Sequence, residues 1–347
     1  MAMKRNRPLD FFRYIFMVNI CLWHSPFHLF NHGYIAVDFF LILSGFMLFH
    51  TCQRYPDLST IGFIAKKYKQ FYPKYLIAFI ITAIVKWQLF VADMGGVNYV
   101  FDKILIRIDE LLLIQSTGFS ESGESVVNGP MWYLSVLIWA SAMIYAIQRI
   151  WKGRKSLFFI SLLMFLGYTY IFNNNVCWNL ERICPENVFI YSRMLRGLSG
   201  IGLGYLLGFV LANQSEKVKR IPSVLINFSL LLAILIVYLV EVSETSHDQY
   251  ILLATMAIIA SCAHEKSFVS RWLQLKVFTS LGRVSFDMFL IHIAVIKVYV
   301  FFLSFIEMPK ILTIILFVVV ITLTGYIFSY CYKYVDKLLT KHESTLV

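Results

Sequence analysis

The sequence predicts an all-α fold, a polytopic membrane bundle of about ten transmembrane helices. Hydrophobic residues make up 59% of its 347 residues and charged residues only 15%, an apolar content above that of ordinary globular domains. The apolar residues form continuous stretches of about 20 residues, the length that an α-helix needs to cross a bilayer. We find no series of short segments with alternating polar and apolar residues, so the sequence disfavours a membrane β-barrel.

Ten spans follow from these stretches. In chain order they run about from Leu9 to Leu29, Tyr34 to Thr51, Tyr72 to Val91, Pro130 to Ile150, Leu157 to Phe172, Met194 to Ala212, Ile221 to Val240, Tyr250 to Ala263, Phe286 to Phe305 and Ile311 to Tyr332. The longest polar insert, Ala92 to Gly129, is too small for a core of its own, so residues 1–347 are predicted to form a single domain. Its residues 100–114 predict a short amphipathic helix at the outer interface.

Basic residues fall on one side of the membrane when ten spans are placed, and acidic or polar loops fall on the other. A formal net charge of +11 would suit nucleic-acid binding in a soluble protein. Here the sorting by loop indicates membrane orientation instead, with both termini cytoplasmic, a lipid bilayer as partner and no nucleic acid. The basic residues on the predicted inner side include Lys4, Arg5, Arg7, Arg54, Lys66, Lys67, Lys69, Lys74, Arg149, Lys152, Arg154, Lys155, Lys276, Arg283, Lys333 and Lys337.

Two of the six cysteines, Cys177 and Cys184, share one predicted outer loop. A disulfide and two free thiols both fit this spacing. No Cys/His spacing resembles a metal site, so we expect no metal.

Arg13 and His24 stand eleven positions apart in the first span. Eleven residues bring a helix back to within roughly 20° of the same face and climb about 16 Å, so the two side chains predict a polar stripe along one helix. An ionisable residue inside a membrane is costly and normally faces the bundle interior to serve a site. Orientation places Arg13 in the cytoplasmic half of the membrane and His24 in the outer half.

Asp38 lies near the outer end of the second span, close in depth to His24. A carboxylate beside a neutral imidazole supports a general base that removes a hydroxyl proton, and this is the role we predict. The alternative is an ion pair or hydrogen bond that only holds the first two spans together. Gly45, seven positions on, shares a helix face with Asp38 and would let a neighbouring helix or a substrate approach the backbone.

Small residues also recur four apart in the sixth span, at Gly200, Gly204 and Gly208. Such spacing favours close helix contact.

Several motifs resemble the acyltransferase-3 family of bacterial membrane proteins. The first two spans carry Leu9-Asp10-Phe11-Phe12-Arg13, His24, Gly33, Val37-Asp38-Phe39-Phe40 and Ser44-Gly45-Phe46; later segments carry Trp132-Tyr133-Leu134-Ser135-Val136, Leu281-Gly282-Arg283-Val284-Ser285-Phe286, Leu290 and His292. The chain departs from the family pattern at two places. Leu137 stands where many members have glutamate, and Lys67 and Gln70 stand where the family has paired arginines before Tyr72-Pro73.

The resemblance implies an enzyme that moves an acyl group, usually acetyl, from a cytoplasmic acyl-CoA to a sugar hydroxyl of an envelope glycan or lipid-linked precursor. It implies a multi-pass protein of the bacterial cytoplasmic membrane, active in O-acetylation of polysaccharide, with acetyl-CoA as donor and no permanently bound cofactor. The hydrolase-like outer domain fused in some members is not expected here, and the oligomeric state stays open.

The same resemblance implies roles for individual residues. Arg13 would hold or orient the donor, and Lys66, Lys67 and Lys69 would match the phosphates of coenzyme A, although lysines at this place also fit an ordinary positive-inside loop. His24 would deprotonate the acceptor or briefly carry the acyl group. The predicted substrate contacts are Ser44, Gly45, Trp132 and His292, with Lys297 as a further cavity residue.

Two other functions stay open at this stage. A non-enzymatic transporter or flippase of a glycan or lipid precursor would use the same residues as a conduit, and binding of an acyl donor separates it from the enzyme. The chain has no mirrored pair of short interrupted helices of the kind many transporters show. A glycan polymerase or ligase would need larger outer loops.

Overall fold

A computed structural model describes residues 6–27, 29–90, 107–118, 127–173, 180, 192–214, 221–245, 247–264, 267 and 272–343. Within these ranges the secondary structure is entirely helical. The helices are α1 (Arg7–His24), α2 (Ala36–Arg54), α3 (Thr60–Phe90), α4 (Ile108–Leu111), α5 (Trp132–Ile150), α6 (Arg154–Asn173), α7 (Ser192–Ala212), α8 (Ser223–Val242), α9 (Gln249–Ala263), α10 (Lys276–Leu303) and α11 (Lys310–Glu343). Short 3₁₀ turns, Gly33–Ile35 and Gly129–Met131, lead into α2 and α5. The prediction of an all-α fold is confirmed for this part of the chain.

Each of the ten predicted spans overlaps one of the long helices. Among the residues that the structure describes, seven helical segments are long and apolar enough to cross a membrane by length and composition, and α9 is a shorter apolar helix. The chain is therefore a multi-pass membrane protein. The count of ten spans and the cytoplasmic termini stay predictions.

Two helices begin well before the spans that hydropathy predicts. Helix α3 begins at Thr60 rather than Tyr72, and α10 begins at Lys276 rather than Phe286. Lysine and glutamine form helix about as readily as leucine does, so a hydropathy pattern detects only the apolar part of such a helix. As a result Lys66, Lys67 and Lys69 lie on α3 and not in a loop, which corrects the sequence expectation.

Two expectations fall wholly or partly outside the described residues. Of the predicted amphipathic segment 100–114, the structure shows the short helix α4, and residues 100–106 are outside the described ranges. Cys177 and Cys184 are outside them as well.

Helix α1 begins at Arg7 because Asn6 caps it. The Asn6 side chain accepts a hydrogen bond of 3.1 Å from the backbone N–H of Leu9, and its amide donates to the carbonyl of Cys262 on α9. Asn6 therefore satisfies a helix donor that has no partner inside α1 and ties this end of the helix to the bundle.

The contact between α2 and α7 depends on glycine. A Cβ at Gly45 would overlap the backbone carbonyl of Ile201, and a Cβ at Gly204 would overlap that of Ile42. The two backbones are thus in direct contact, as small residues permit in membrane helices. The packing role predicted for the glycines of the sixth span is confirmed.

Helix α10 packs between α1 and α3. Gly282 lies against Asp10 of α1, where a side chain would overlap the carboxylate. On the other side the Lys74 ammonium of α3 lies 2.6 Å from an oxygen of Asp287. The partner of Asp287 therefore lies on a different helix, α3.

We expect Gly45→Ala to destabilise the protein, by roughly 1–3 kcal/mol, because the added methyl meets the backbone of α7. Alanine normally stabilises a helix relative to glycine. A loss of stability would therefore be opposite to the effect of helix propensity alone. The measurement is the thermal midpoint of detergent-purified protein by size-exclusion chromatography after heating.

Gly129→Ala is the control for this prediction, since a Cβ there meets no atom within 4 Å. A Gly45→Ala protein as stable as the Gly129→Ala protein would contradict the backbone contact.

Candidate functional site

A cavity of about 540 Å³ lies at the end of the bundle that carries the basic residues; we call it the inner cavity. Helices α1, α2, α3, α5 and α10 form its wall. Its polar lining residues are Arg13, Ser44, Thr51, Lys67, Gln70, Lys74, Tyr133 and Ser285. A cavity of this volume is large enough for a ligand of cofactor size.

A second cavity of about 200 Å³, the outer cavity, lies at the opposite end of α1 and α2. It is lined by Trp23, His24, Tyr34, Trp132, Arg193 and Arg196 together with apolar and small residues. Two guanidinium groups lie near the Trp132 ring, that of Arg193 at 5.3 Å and that of Arg196 at 5.7 Å from the ring centre. Aromatic and cationic side chains are therefore concentrated beside His24.

Ile20 and Val37 belong to the linings of both cavities. They lie between the two cavities, with Arg13 on one side and His24 on the other. Because Arg13 and His24 are eleven residues apart on one helix, the line from one cavity to the other covers about 16 Å. The polar stripe of α1 thus faces a cavity at each end.

The Arg13 guanidinium is 29% exposed and lies 3.1 Å from Asp10, which is buried in the first turn of α1. A carboxylate is favourable in the first turn of a helix, where backbone N–H groups point towards it. Asp10 therefore holds the arginine at the cavity wall from within the same helix.

The three lysines predicted to bind the donor have different positions. Lys67 lines the inner cavity, whereas Lys66 and Lys69 are exposed and do not line it. The Lys66 ammonium instead lies 3.4 Å from the centre of the Tyr55 ring. Lys74, which the sequence did not single out for the donor, lines the cavity but forms an ion pair with Asp287. Lys67 has no carboxylate partner among the residues that the structure describes.

His24 and His292 are in contact. Their rings meet edge to face with centroids 5.1 Å apart. His24 is exposed at the outer cavity, and its Nδ1 donates to the carbonyl of Ile20 at 2.9 Å. A carbonyl only accepts, so the neutral ring carries its hydrogen on Nδ1 and presents a basic Nε2.

Asp38 does not pair with His24 in the structure. The Arg196 guanidinium donates to both of its oxygens, from Nη2 at 2.6 Å and from Nε at 3.2 Å, and both side chains are buried. Arg196 also donates to the carbonyls of Tyr34 and Leu180. A buried carboxylate needs a charged partner, and α7 supplies one in place of the imidazole. This corrects the predicted pair and agrees with the alternative of an ion pair between helices, although the partner lies on α7 and not on the first span.

Of the other predicted substrate contacts, some line a cavity and others do not. Ser44 lines the inner cavity, with its hydroxyl 3.5 Å from that of Tyr133, and Trp132 lines the outer cavity. Gly45 faces α7 and does not reach either cavity, because close packing uses the side of the helix that carries it. His292 is fully buried and contacts His24, and Lys297 lies outside both linings.

Sequence reasoning missed Arg196, Arg193 and Tyr133. A signal for Arg196 was present, since an arginine inside an apolar span is costly wherever it occurs, as it is for Arg13. The glycines that follow it in the same span indicated a packing role for the helix instead. Tyr133 stands in the Trp132-Tyr133-Leu134-Ser135-Val136 motif, from which only Trp132 was predicted to contact a substrate.

The fold and the two cavities define a helical membrane protein whose first helix carries a polar side chain at each cavity. A family comparison identifies the family: residues 6–332 match the model of the acyltransferase domain, acyltransferase-3. The chain belongs to this family of membrane acyltransferases, and the match covers nearly all of it. No curated protein and no solved structure gave a match.

The Asp38–Arg196 pair leads to a stability prediction. Asp38→Leu and Arg196→Met each leave one buried charge unpaired and should each cost about 3–5 kcal/mol. The double substitution leaves neither, so its cost should be less than the sum by about 1 kcal/mol or more. Thermal or denaturant unfolding of purified protein measures all three.

A matched control combines Asp38→Leu with Lys74→Met, which removes a cation from a different ion pair. Those two effects should add within about 0.5 kcal/mol. Additivity of the Asp38→Leu and Arg196→Met effects would contradict the pairing.

Proposed function

We propose that this protein is an O-acyltransferase that moves an acyl group, in the first place acetyl, from cytoplasmic acyl-CoA to a sugar hydroxyl of an envelope glycan or lipid-linked precursor. The observation that carries the proposal is a pair of cavities that share Ile20 and Val37 in their linings, the inner one with Arg13 and Lys67 and the outer one with the basic imidazole of His24. Membership of the acyltransferase-3 family supports acyl transfer in general. The donor, the acceptor and the bacterial cytoplasmic membrane are parts of the proposal.

The donor occupies the inner cavity. Coenzyme A carries several phosphates, and Lys67 is a cation at the cavity wall without a carboxylate partner among the described residues. Arg13 lies deeper along α1 and offers a guanidinium, which suits a phosphate of the donor. Lys66 and Lys69 lie outside the cavity, so the proposal assigns the phosphate contact to Lys67.

The thioester reaches His24 through the level of Ile20 and Val37. The pantetheine arm of coenzyme A is long, linear and thin, and two aliphatic side chains at the junction give a wall without competing polar groups. A donor held by its phosphates at the inner end thereby presents its reacting carbon about 16 Å further out, the rise of α1 from Arg13 to His24.

The acceptor hydroxyl lies in the outer cavity beside Trp132 and His24. Its oxygen attacks the thioester carbonyl carbon while His24 Nε2 takes the hydroxyl proton. The carbon–sulfur bond then breaks, and the departing thiolate takes that proton from His24. The products are an ester on the sugar and free coenzyme A.

A transporter that used the same passage would have no need of an acyl donor. The first test is therefore acetyl-CoA binding to purified protein by isothermal titration calorimetry. We expect an affinity that falls as salt rises, because the phosphates of the donor meet cationic side chains. Lys67→Ala and Arg13→Ala should each weaken binding about tenfold, in line with the loss of one charged hydrogen bond.

Lys66→Ala is the matched control, since it removes a neighbouring lysine that lies outside the cavity. It should leave the affinity within about twofold, because an exposed charge contributes little. Equal losses for Lys66→Ala and Lys67→Ala would contradict the donor site, and no binding of any acyl-CoA to folded protein would favour the transporter.

His24→Gln tests the chemical step. Glutamine keeps a polar side chain of similar size but has no basic nitrogen, and removal of a general base typically lowers a rate about 10²- to 10⁴-fold. The variant should reach the membrane, bind acetyl-CoA like the wild type and leave the glycan unmodified. Mass spectrometry of the envelope glycans of cells that carry wild-type or variant protein measures the ester.

A near wild-type level of glycan ester in the His24→Gln cells would contradict His24 as the base.

A further inference from the structure

The proposed chemistry uses His24 and assigns no role to a second imidazole, that of His292. His292 on α10 is fully buried, and its Nδ1 donates to the carbonyl of Phe289 at 2.7 Å. Its Nε2 has no hydrogen-bond partner among the described residues. Buried polar atoms nearly always have a partner, and a histidine that only fills the core would be expected to have both nitrogens satisfied.

The two rings have matching arrangements. Each donates its Nδ1 hydrogen to a carbonyl of its own helix, Ile20 for His24 and Phe289 for His292. These bonds fix both tautomers, so each neutral ring has its lone pair on Nε2. With ring centroids only 5.1 Å apart, the two imidazoles are direct neighbours.

We propose that His292 is a positioning residue that accepts a hydrogen bond through Nε2 from the Nε2–H of protonated His24 during acyl transfer. The inference rests on the proposed function, in which His24 takes the proton of the acceptor hydroxyl. That proton stays on His24, shared with His292, until the thiolate leaves and takes it. No bond to carbon forms on either ring, and the pair returns to two neutral imidazoles.

A neutral hydrogen-bond acceptor suits the position beside His24 better than a carboxylate would. Asp38, the carboxylate predicted for the role, is bound to Arg196 and has no recorded contact with His24. A buried carboxylate beside His24 would need a compensating charge throughout the cycle, whereas an imidazole is uncharged until the proton arrives. The pair then holds a single positive charge, and only while the transfer lasts.

The test compares His292→Gln with His292→Leu in purified full-length protein, with acetyl-CoA as donor and the envelope glycan fraction of cells that lack the gene as acceptor. Release of the coenzyme A thiol gives kcat and KM for acetyl-CoA. The amide oxygen of glutamine accepts a hydrogen bond as Nε2 does, whereas leucine offers nothing.

His292→Leu should lower kcat roughly 10- to 100-fold, the usual effect of one hydrogen bond to a charged group. KM for acetyl-CoA and donor binding should not change, because His292 does not line the inner cavity. His292→Gln should recover most of the lost kcat. A residue that only packs helices would give no such recovery.

Tyr299→Phe is the control, since it also removes one buried hydrogen bond from α10, the one to the carbonyl of Thr313. It should leave kcat unchanged. The proposal is overturned by a His292→Leu protein with kcat within twofold of the wild type, or by equal losses of kcat in His292→Leu and His292→Gln. A folded wild-type protein that transfers no acyl group would contradict the proposed function itself, which separates the two failures.

Discussion

The backbone contact between α2 and α7 is the constraint on which the rest of the bundle depends. Gly45 and Gly204 let the two helices touch without intervening side chains, and the Asp38–Arg196 pair joins them at the outer end. Glycine contact gives dispersion energy and close fit, while the ion pair allows only one register, because a shift would leave two charges buried without partners. One face of α2 is thereby committed to α7. The other face, which carries Val37 and Ser44, remains for the cavities.

This division explains why residues of similar appearance on α2 have different roles. Asp38 and Gly45 share the face that packs on α7, so neither reaches the passage, although both lie within a few residues of side chains that do. On α1 it is the polar side chains that face the cavities. Its contact with α10 is made close by Gly282 at the inner end, and the stripe from Arg13 to His24 stays open towards α2. The passage is therefore the space that two glycine-mediated contacts leave between them.

The sequence predicted the helices and the stripe because both depend on local periodicity. Eleven residues on one helix return to one face whatever surrounds them, so Arg13 and His24 could be placed at the two cavities in advance. The partner of Asp38 could not be predicted, since hydropathy gives the depth of a residue but not the neighbouring helix, and Arg196 lies far along the chain. For the same reason the contact between His24 and His292 needed the fold. Lys67 and Lys66 are neighbours on α3 and differ in the direction in which their side chains point. That direction depends on how α3 is rotated within the bundle, which only the structure shows.

The acyl transfer that we propose has two requirements, and each cavity satisfies one of them. A phosphorylated donor is too polar to enter an apolar bundle entirely, and a glycan acceptor on the far side is too large to come to the donor. The proposed reaction needs cationic groups for the donor, a path along α1 and a base at the far end, and the proposal assigns these parts to the inner cavity, the level of Ile20 and Val37, and His24. A transporter must instead open to both sides in turn around one binding place. Fixed helix contacts through glycine and a buried ion pair favour a passage of constant shape, which suits a long thin donor arm better than a moving substrate.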